Sequence, residues 1–489
     1  MKKAILLQLI LIIMSVGQQG TFAQSLASDP LLFPKDSFTT LTRNVRTSSG
    51  DRIVTYRAYM HIPYVSAPVD KDYQSLNVLV PVSIDNVDVD ASASPILFAI
   101  GVGGYMSVNN ARSNPPGGAG NPSGGGGMSS REDLALAAGF TVVSPGCRGR
   151  DNNSPDGTFY GKAPAAIVDL KAAVRYLRHN KGIIPGNTDR IVSVGCSAGG
   201  ALSALLGTSG NSPLYDTFFN EIGAADEQDG IFASACFSPI TDLEHADMAY
   251  EWNFGAVPTR SGLVDQELSA QLKAMYAEYQ SSLDLSGKNG FGKLMADNYS
   301  EYLLKYFLIP SADKYLREIS EEERKEYLDK NGWIAITDAG PSFTFEDYVN
   351  HVGRMKGLPA FDDFDLRQPE PNLFGNTRIN ARHFTDFSLK HSAGDKQAEV
   401  EAEVRELVDM MNAMYFLRIG NRGCASQWWL RNGTSDNHTS QTIMVNLATR
   451  LENLGKNVNT LVFWDGGHCA DYDPEGFIEW IKNISVPGE

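Results

Sequence analysis

Cysteine is scarce in this chain, five in 489 residues: Cys147, Cys196, Cys236, Cys424 and Cys469. None stands in a C-x-x-C pair, so no zinc or dithiol redox motif is supported and no metal site is expected. Basic residues are also few, 42 Lys and Arg against 58 Asp and Glu, and they form no cluster. Such a surface repels phosphate backbones, which makes nucleic acid an unexpected partner. Internal repeats are missing, so a solenoid or propeller is not indicated. Beyond the N-terminus no apolar run is long enough to cross a membrane.

That N-terminus is a case of its own. Lys2-Lys3 precedes an apolar run at 4–16, and Thr21-Phe22-Ala23 offers small residues where a signal peptidase reads. The pattern predicts a secretory signal over 1–23, cleaved after Ala23, and hence an exported protein, periplasmic or extracellular. The run is short for a membrane anchor, and no cysteine lies near the cleavage site to carry a lipid. Removing 1–23 takes away two lysines and no acid, leaving 40 basic against 58 acidic side chains. In an exported protein five cysteines can form disulfides and must leave at least one thiol unpaired.

The remaining length is too great for one compact core, so one large domain with a sizeable insertion, or two domains, is expected. A hydrophobic content of 42% argues against disorder. Residues 51–65 and 76–84 read as early antiparallel strands near one edge. Strands follow at 95–100, 140–144, 191–194 and 231–237, separated by helical patterns at 134–139 and 164–179. This alternation predicts an α/β protein with a mostly parallel sheet flanked by helices. Residues 243–400 are rich in helix formers, Tyr and charge, and read as an inserted cap, with 320–326 as a solvated helix face. The core then resumes over 401–489, with helices around 400–416 and 439–454, strands near 426–431 and 458–464, and a last helix at 474–482. The expected domains are thus 24–242 and 401–489 for the core, with 243–400 between them.

The stretch around which these elements are organised is Gly195-Cys196-Ser197-Ala198-Gly199. A short β-branched strand precedes it and a small-residue helix follows, the context a G-x-S-x-G nucleophile elbow requires. With 46 glycines in the chain the pentapeptide alone is weak, and a glycine-rich turn is the alternative. In an elbow, Ser197 would be the nucleophile, and the N–H of Ala198 would face a developing oxyanion. Gly103 or Gly104, in the loop after the 95–100 strand, is expected to supply the second amide.

An elbow serine needs a base and an acid that orients it, and in the α/β-hydrolase fold they follow in the order Ser, acid, His. Of the eight histidines, His438 and His468 lie after the cap. His468 follows the 458–464 strand through a tight loop and is the expected base. His438 precedes a helix and reads as a rim residue. Asp436 follows the preceding strand and is the expected acid, with a helix N-cap as its alternative role. Asp465 is too near His468 in sequence, and Asp473 suits the cap of the last helix. Cys196 precedes the nucleophile and Cys469 follows the base, so a disulfide between them is feasible, two buried thiols being the other reading. The remaining three cysteines read as buried small residues.

Cys196-Ser197, Asp436 and His468-Cys469 resemble the CS-D-HC motif of the tannase and feruloyl esterase family. The wider run, from Gly101-Val-Gly-Gly-Tyr105 to the segment 464–473, is most similar to bacterial tannases. The likeness covers most of the chain after residue 23 and is weakest in the first fifty residues and parts of the cap. It implies an α/β-hydrolase fold with a large cap, a Cys196–Cys469 disulfide, and a serine esterase acting on aromatic esters of plant phenolics, galloyl esters first. No cofactor is implied. In the family a cap lysine, a cap glutamate and an acid two residues after the triad Asp hold the galloyl ring. Lys356 and Glu370 are the matching candidates, with a surface ion pair as their alternative role. The third position departs from the pattern, since it is His438. Feruloyl or other hydroxycinnamoyl esters are therefore the second expectation, a general carboxylesterase being a broader form of it. A serine exopeptidase and a non-catalytic phenolic-binding protein on the same scaffold are the rivals from other classes.

Overall fold

A computed structural model describes residues 29–110 and 130–485. The expected signal segment and most of the glycine-rich loop after Tyr105 lie outside the described residues.

Fourteen strands are present among those residues. They are β1 Thr39–Thr47, β2 Gly50–Pro63, β3 Ser75–Ile84, β4 Val87–Asp88, β5 Pro95–Ile100, β6 Thr141–Pro145, β7 Asn187–Cys196 and β8 Ala233–Phe237. After them come β9 Ser286–Gly287, β10 Gly292–Lys293, β11 Ala335–Thr337, β12 Gly340–Ser342, β13 Gln427–Gly433 and β14 Asn457–Phe463. Ten form one sheet in the order β1-β2-β3-β6-β5-β7-β8-β13-β14, with β4 beside β3. The six strands from β6 to β14 run parallel, while β1, β2, β3 and β4 make an antiparallel edge.

The central strands are apolar on both faces because helices cover both. Ile96, Phe98 and Ile100 of β5 enter the core shared with helices Ala165–His179, Ala198–Thr208 and Gln441–Asn453. Leu97 and Ala99 point the other way, into the core that holds Leu134, Leu136, Phe477 and Ile481 of helices Arg131–Ala137 and Pro474–Ser485. This is an α/β-hydrolase fold.

From the end of β8 at Phe237 to the start of β13 at Gln427 the chain adds no strand to the sheet. It forms helices, among them Leu243–Phe254, Gln266–Ser282, Phe345–Val352 and Pro369–Leu373, with two small hairpins, β9–β10 and β11–β12. The charged run is the helix Glu321–Lys330, which buries no residue and starts with a capping box between Ser320 and Glu323. The helix expected around 400–416 is two, Ala402–Met410 and Ala413–Arg418, broken where the Asn412 side chain accepts from Met414 N and starts the second.

This cap is clamped onto the loops that leave β13 and β14. Tyr348 donates its hydroxyl to Thr434 O at 2.6 Å, and Tyr250 donates to Asn437 O at 3.0 Å. Asp465 accepts from Tyr327 at 2.6 Å and pairs with His351 at 2.9 Å. Four cap side chains thereby fix the backbone on which the expected acid and base sit.

Candidate active site

β7 ends at Cys196 and the next helix starts at Ala198, leaving Ser197 to make the whole turn with φ +58° and ψ −124°. A non-glycine residue holds such a conformation only where its surroundings impose it. They do so here by close approach. A Cβ on Gly195 would stand 2.3 Å from Gly199 O, and one on Gly199 would stand 2.7 Å from Val102 O. Ser197 N donates to Phe237 O at 3.0 Å, which pins the turn to the end of β8. Ala198 opens the helix, so its N–H has no acceptor within it.

The loop after β5 runs over this turn. Gly104 has φ +54° and Tyr105 φ +56°, and Tyr105 donates its hydroxyl to Ile240 O at 2.8 Å. Neither the Gly103 nor the Gly104 amide finds an acceptor among the described residues. Around Gly103 there is open space, with no atom within 4 Å of an added Cβ.

His468 Nδ1 lies 2.9 Å from Asp436 Oδ2. A carboxylate only accepts, so Nδ1 carries the proton and Nε2 of the neutral ring is left as an acceptor. Asp436 is 1% exposed, and its other oxygen accepts from His438 N at 3.0 Å. Burial works against its charge, but the His468 hydrogen bond and charge, with the His438 amide, hold its carboxyl below the usual range. Asp436 is not a helix cap; Ser440 caps the helix Gln441–Asn453. Asp473 does accept from Gly476 N at 3.0 Å in the first turn of the last helix.

Cys196 and Cys469 form a disulfide, Cα–Cα 5.7 Å, joining the residue before Ser197 to the residue after His468. Ser238 supports the same junction: its hydroxyl accepts from Cys469 N at 3.0 Å and donates to Asn432 Oδ1 at 2.7 Å. Among the described residues the one group with metal-ligand spacing is Cys196, His468 and Cys469, and both sulfurs are in that disulfide. Cys147 and Cys236 are buried thiols, as expected, whereas Cys424 is half-buried.

The cap reaches toward these loops. Lys356, half-buried, sets its Nζ 3.4 Å over the Phe361 ring. Burial lowers its pKa, while Glu370, Asp247 and Asp436 pull the other way. Glu370 is 5% exposed and its Oε2 has no hydrogen-bond partner among the described residues. Burial raises its pKa against the charges of Lys356 and Arg150. Lys356 and Glu370 are therefore not a surface ion pair. His438, expected at the rim, is half-buried and stacked on His468.

Three residues here escaped the sequence reading. Arg150 donates to Gly104 O at 2.7 Å and to Asn372 Oδ1 at 3.0 Å. Its position at the C-terminal side of a parallel strand, β6, was the available signal. Asp247 accepts from Phe361 N at 2.7 Å and Asp362 N at 3.2 Å, so it sets the loop beneath Lys356. Burial and Asp362 push its pKa up to about 7. Tyr105 is the third: the Gly101-Val-Gly-Gly-Tyr105 run includes it, but nothing in that run marks its bond to Ile240 O. A cavity of about 550 Å³ between Phe159, Phe218 and Leu407 contains none of these site residues.

Comparison with known proteins places this arrangement. The fold matches a tannase from Fusobacterium nucleatum with TM-score 0.81 and 34% identity, over 93% of this chain and 99% of that one. The chain belongs to the tannase family. A tannin acyl hydrolase solved in complex with ethyl gallate matches at TM-score 0.80 and 32% identity, with the same coverage, 93% and 99%. The esterase family BD-FAE matches residues 127–280, a span that holds Ser197 but ends before Asp436 and His468. Esterase LipC of Mycobacterium tuberculosis is 32% identical over 104 residues, 21% of this tannase-family chain and 22% of that enzyme's length. Carboxylic ester hydrolysis is the activity common to these relatives.

Proposed function

We propose that this chain is an exported serine esterase that hydrolyses galloyl esters. Ser197 attacks the ester carbonyl while His468 Nε2 takes its proton, and Asp436 orients and stabilises the resulting imidazolium. The amides of Ala198 and of Gly103 or Gly104 hold the oxyanion. His468 returns the proton to the leaving alcohol, and water then releases the acid from the acyl-enzyme. The observation that carries the reading is the covalent tie: one disulfide fixes the strained Ser197 turn to the loop on which His468 hydrogen-bonds a buried Asp436. Lys356 and Glu370 are the groups for the ring hydroxyls, and the partnerless Glu370 Oε2 is an acceptor that a phenol would satisfy. His438 is the third ring contact. Export rests on the N-terminal 1–23 pattern.

His438 favours a second reading, hydroxycinnamoyl ester hydrolysis, because a neutral imidazole stands where the family pattern has an acid. Acid release from methyl gallate and methyl ferulate, in wild type and Ser197→Ala, tests both. Gallate release lost in the variant supports the first reading. Ferulate turnover with little gallate turnover replaces it with the second. Activity that survives Ser197→Ala overturns the mechanism.

A further inference from the structure

The turn that carries Gly103 and Gly104 is strained, with two consecutive residues, Gly104 and Tyr105, in the left-handed region. Tyr105 has a side chain, so its conformation needs an outside restraint. One residue supplies it twice. Arg150 Nε donates to Gly104 O at 2.7 Å, and Arg150 N donates to Tyr105 O at 3.0 Å. Both strained carbonyls are thus held from β6's end of the sheet. The same guanidinium reaches the cap: Nη1 donates to Asn372 Oδ1 at 3.0 Å, and Asn372 lies two residues beyond Glu370 in the helix Pro369–Leu373. Arg150 is held in turn by Lys162, whose Nζ donates to Arg150 O at 2.8 Å and to Asn380 Oδ1 at 2.9 Å. Asn380 also accepts from Asn372 Nδ2 through its backbone oxygen at 2.9 Å.

From this geometry we infer that Arg150 is a positioning residue: it holds the oxyanion turn through Gly104 and the ring-binding helix of Glu370 through Asn372, and so sets the distance between the two. The inference rests on the esterase reading above. A planar guanidinium with donors on two edges can bridge two acceptors in fixed geometry, which an ammonium cannot do. The charge of Arg150 also bears on Glu370, holding down a carboxyl that burial pushes up.

A small alkyl fluorophosphonate separates the two arms, because it phosphonylates the elbow serine with help from the oxyanion amides but has no aromatic ring to engage the cap. Second-order labelling rates are measured for wild type, Arg150→Gln and Arg150→Lys, alongside kcat and KM for methyl gallate and circular-dichroism melting. The expected result is labelling slowed about tenfold in Arg150→Gln with native secondary structure, and KM for methyl gallate raised at least threefold. Arg150→Lys, which can reach Gly104 O but not both acceptors, is expected to recover part of the labelling rate and none of the KM. Labelling of a folded Arg150→Gln within threefold of wild type overturns the inference. Should Arg150→Gln not fold, Arg150→Lys decides instead: KM within threefold of wild type overturns it, and a larger rise supports it. Wild type that fails to label at all overturns the esterase reading, an outcome distinct from either of these.

Discussion

The rings of His438 and His468 lie face to face, 3.9 Å between centroids and 8° from parallel. Burial lowers the His438 pKa to about 4, His468 and Lys356 push the same way, and Asp436 opposes them. His438 is therefore neutral at neutral pH. Its folded pKa lies below the ordinary value of about 6.5. Between those values the unfolded chain binds a proton that the folded chain refuses, so stability is full above about pH 6.5, falls as pH drops toward 4, and levels off below. The loss between about pH 7.5 and about pH 5 has a ceiling of about 2 kcal/mol, which solvent screening of the half-buried ring lowers toward about half. His438→Phe keeps the stack and removes the titration. Urea denaturation at both pH values should show a drop smaller by about 1 kcal/mol in the variant; an equal drop would refute the assignment.

The disulfide spans a sequence separation of 273 residues. Its loss should cost up to about 5 kcal/mol by chain entropy, less where the unfolded chain keeps structure. The larger effect falls on catalysis, because Cys469 anchors the His468 loop beside Ser197. Cys196→Ser with Cys469→Ser should lower the melting temperature and reduce kcat more than tenfold at 25 °C, where the variant is still folded. Full specific activity in a folded double variant would show that Ser238 and the cap hold the loop unaided.

Much of this was legible in the sequence because its signals are local. The strands from β5 to β8 are short apolar runs, the elbow is five contiguous residues, and Asp436 and His468 follow from chain order. β1 was missed: in Thr39–Thr47 only Leu41 and Val45 are apolar and turned inward, too few to show a strand period. Tyr250, Tyr327 and Tyr348 clamp the cap from separate helices, so their role appears only once the chain is folded. The same holds for Arg150, which meets Asn372 across 222 residues of sequence. His438 illustrates the limit most clearly, since nothing near it in sequence announces a ring stacked on His468.

The ring-binding assignment makes its own prediction. Glu370→Gln keeps the shape but loses the charge that a phenol hydroxyl would meet, and Lys356→Met removes the cation. Each should raise KM for methyl gallate about tenfold, the change expected for losing one hydrogen bond to a charged group, about 1.4 kcal/mol. KM for methyl benzoate, which has no ring hydroxyl, should stay within twofold. Equal losses on both esters would mean that these side chains shape the cap and do not contact the ring.

Gly433 lets the loops that carry Asp436 and His468 touch. It is the last residue of β13, and a Cβ there would stand 1.9 Å from Gly466 O and 2.4 Å from Gly467 O. These are backbone atoms, so no rotamer change relieves the clash. The chain just beyond is tied across the same gap, with Ser435 N donating to Gly466 O at 2.9 Å. Pushing the loops apart lengthens the path between Asp436 and His468. Gly433→Ala should therefore destabilise by roughly 2–3 kcal/mol, as overpacking does, and lower kcat on the folded fraction. Gly467→Ala is the matched control: it is one residue from His468, exposed, with nothing within 4 Å of the added Cβ. Its stability should change by less than about 0.5 kcal/mol. Urea denaturation of the two variants decides the matter, and equal stabilities would mean that the loops give way at no cost and that their contact does not hold the pair in place.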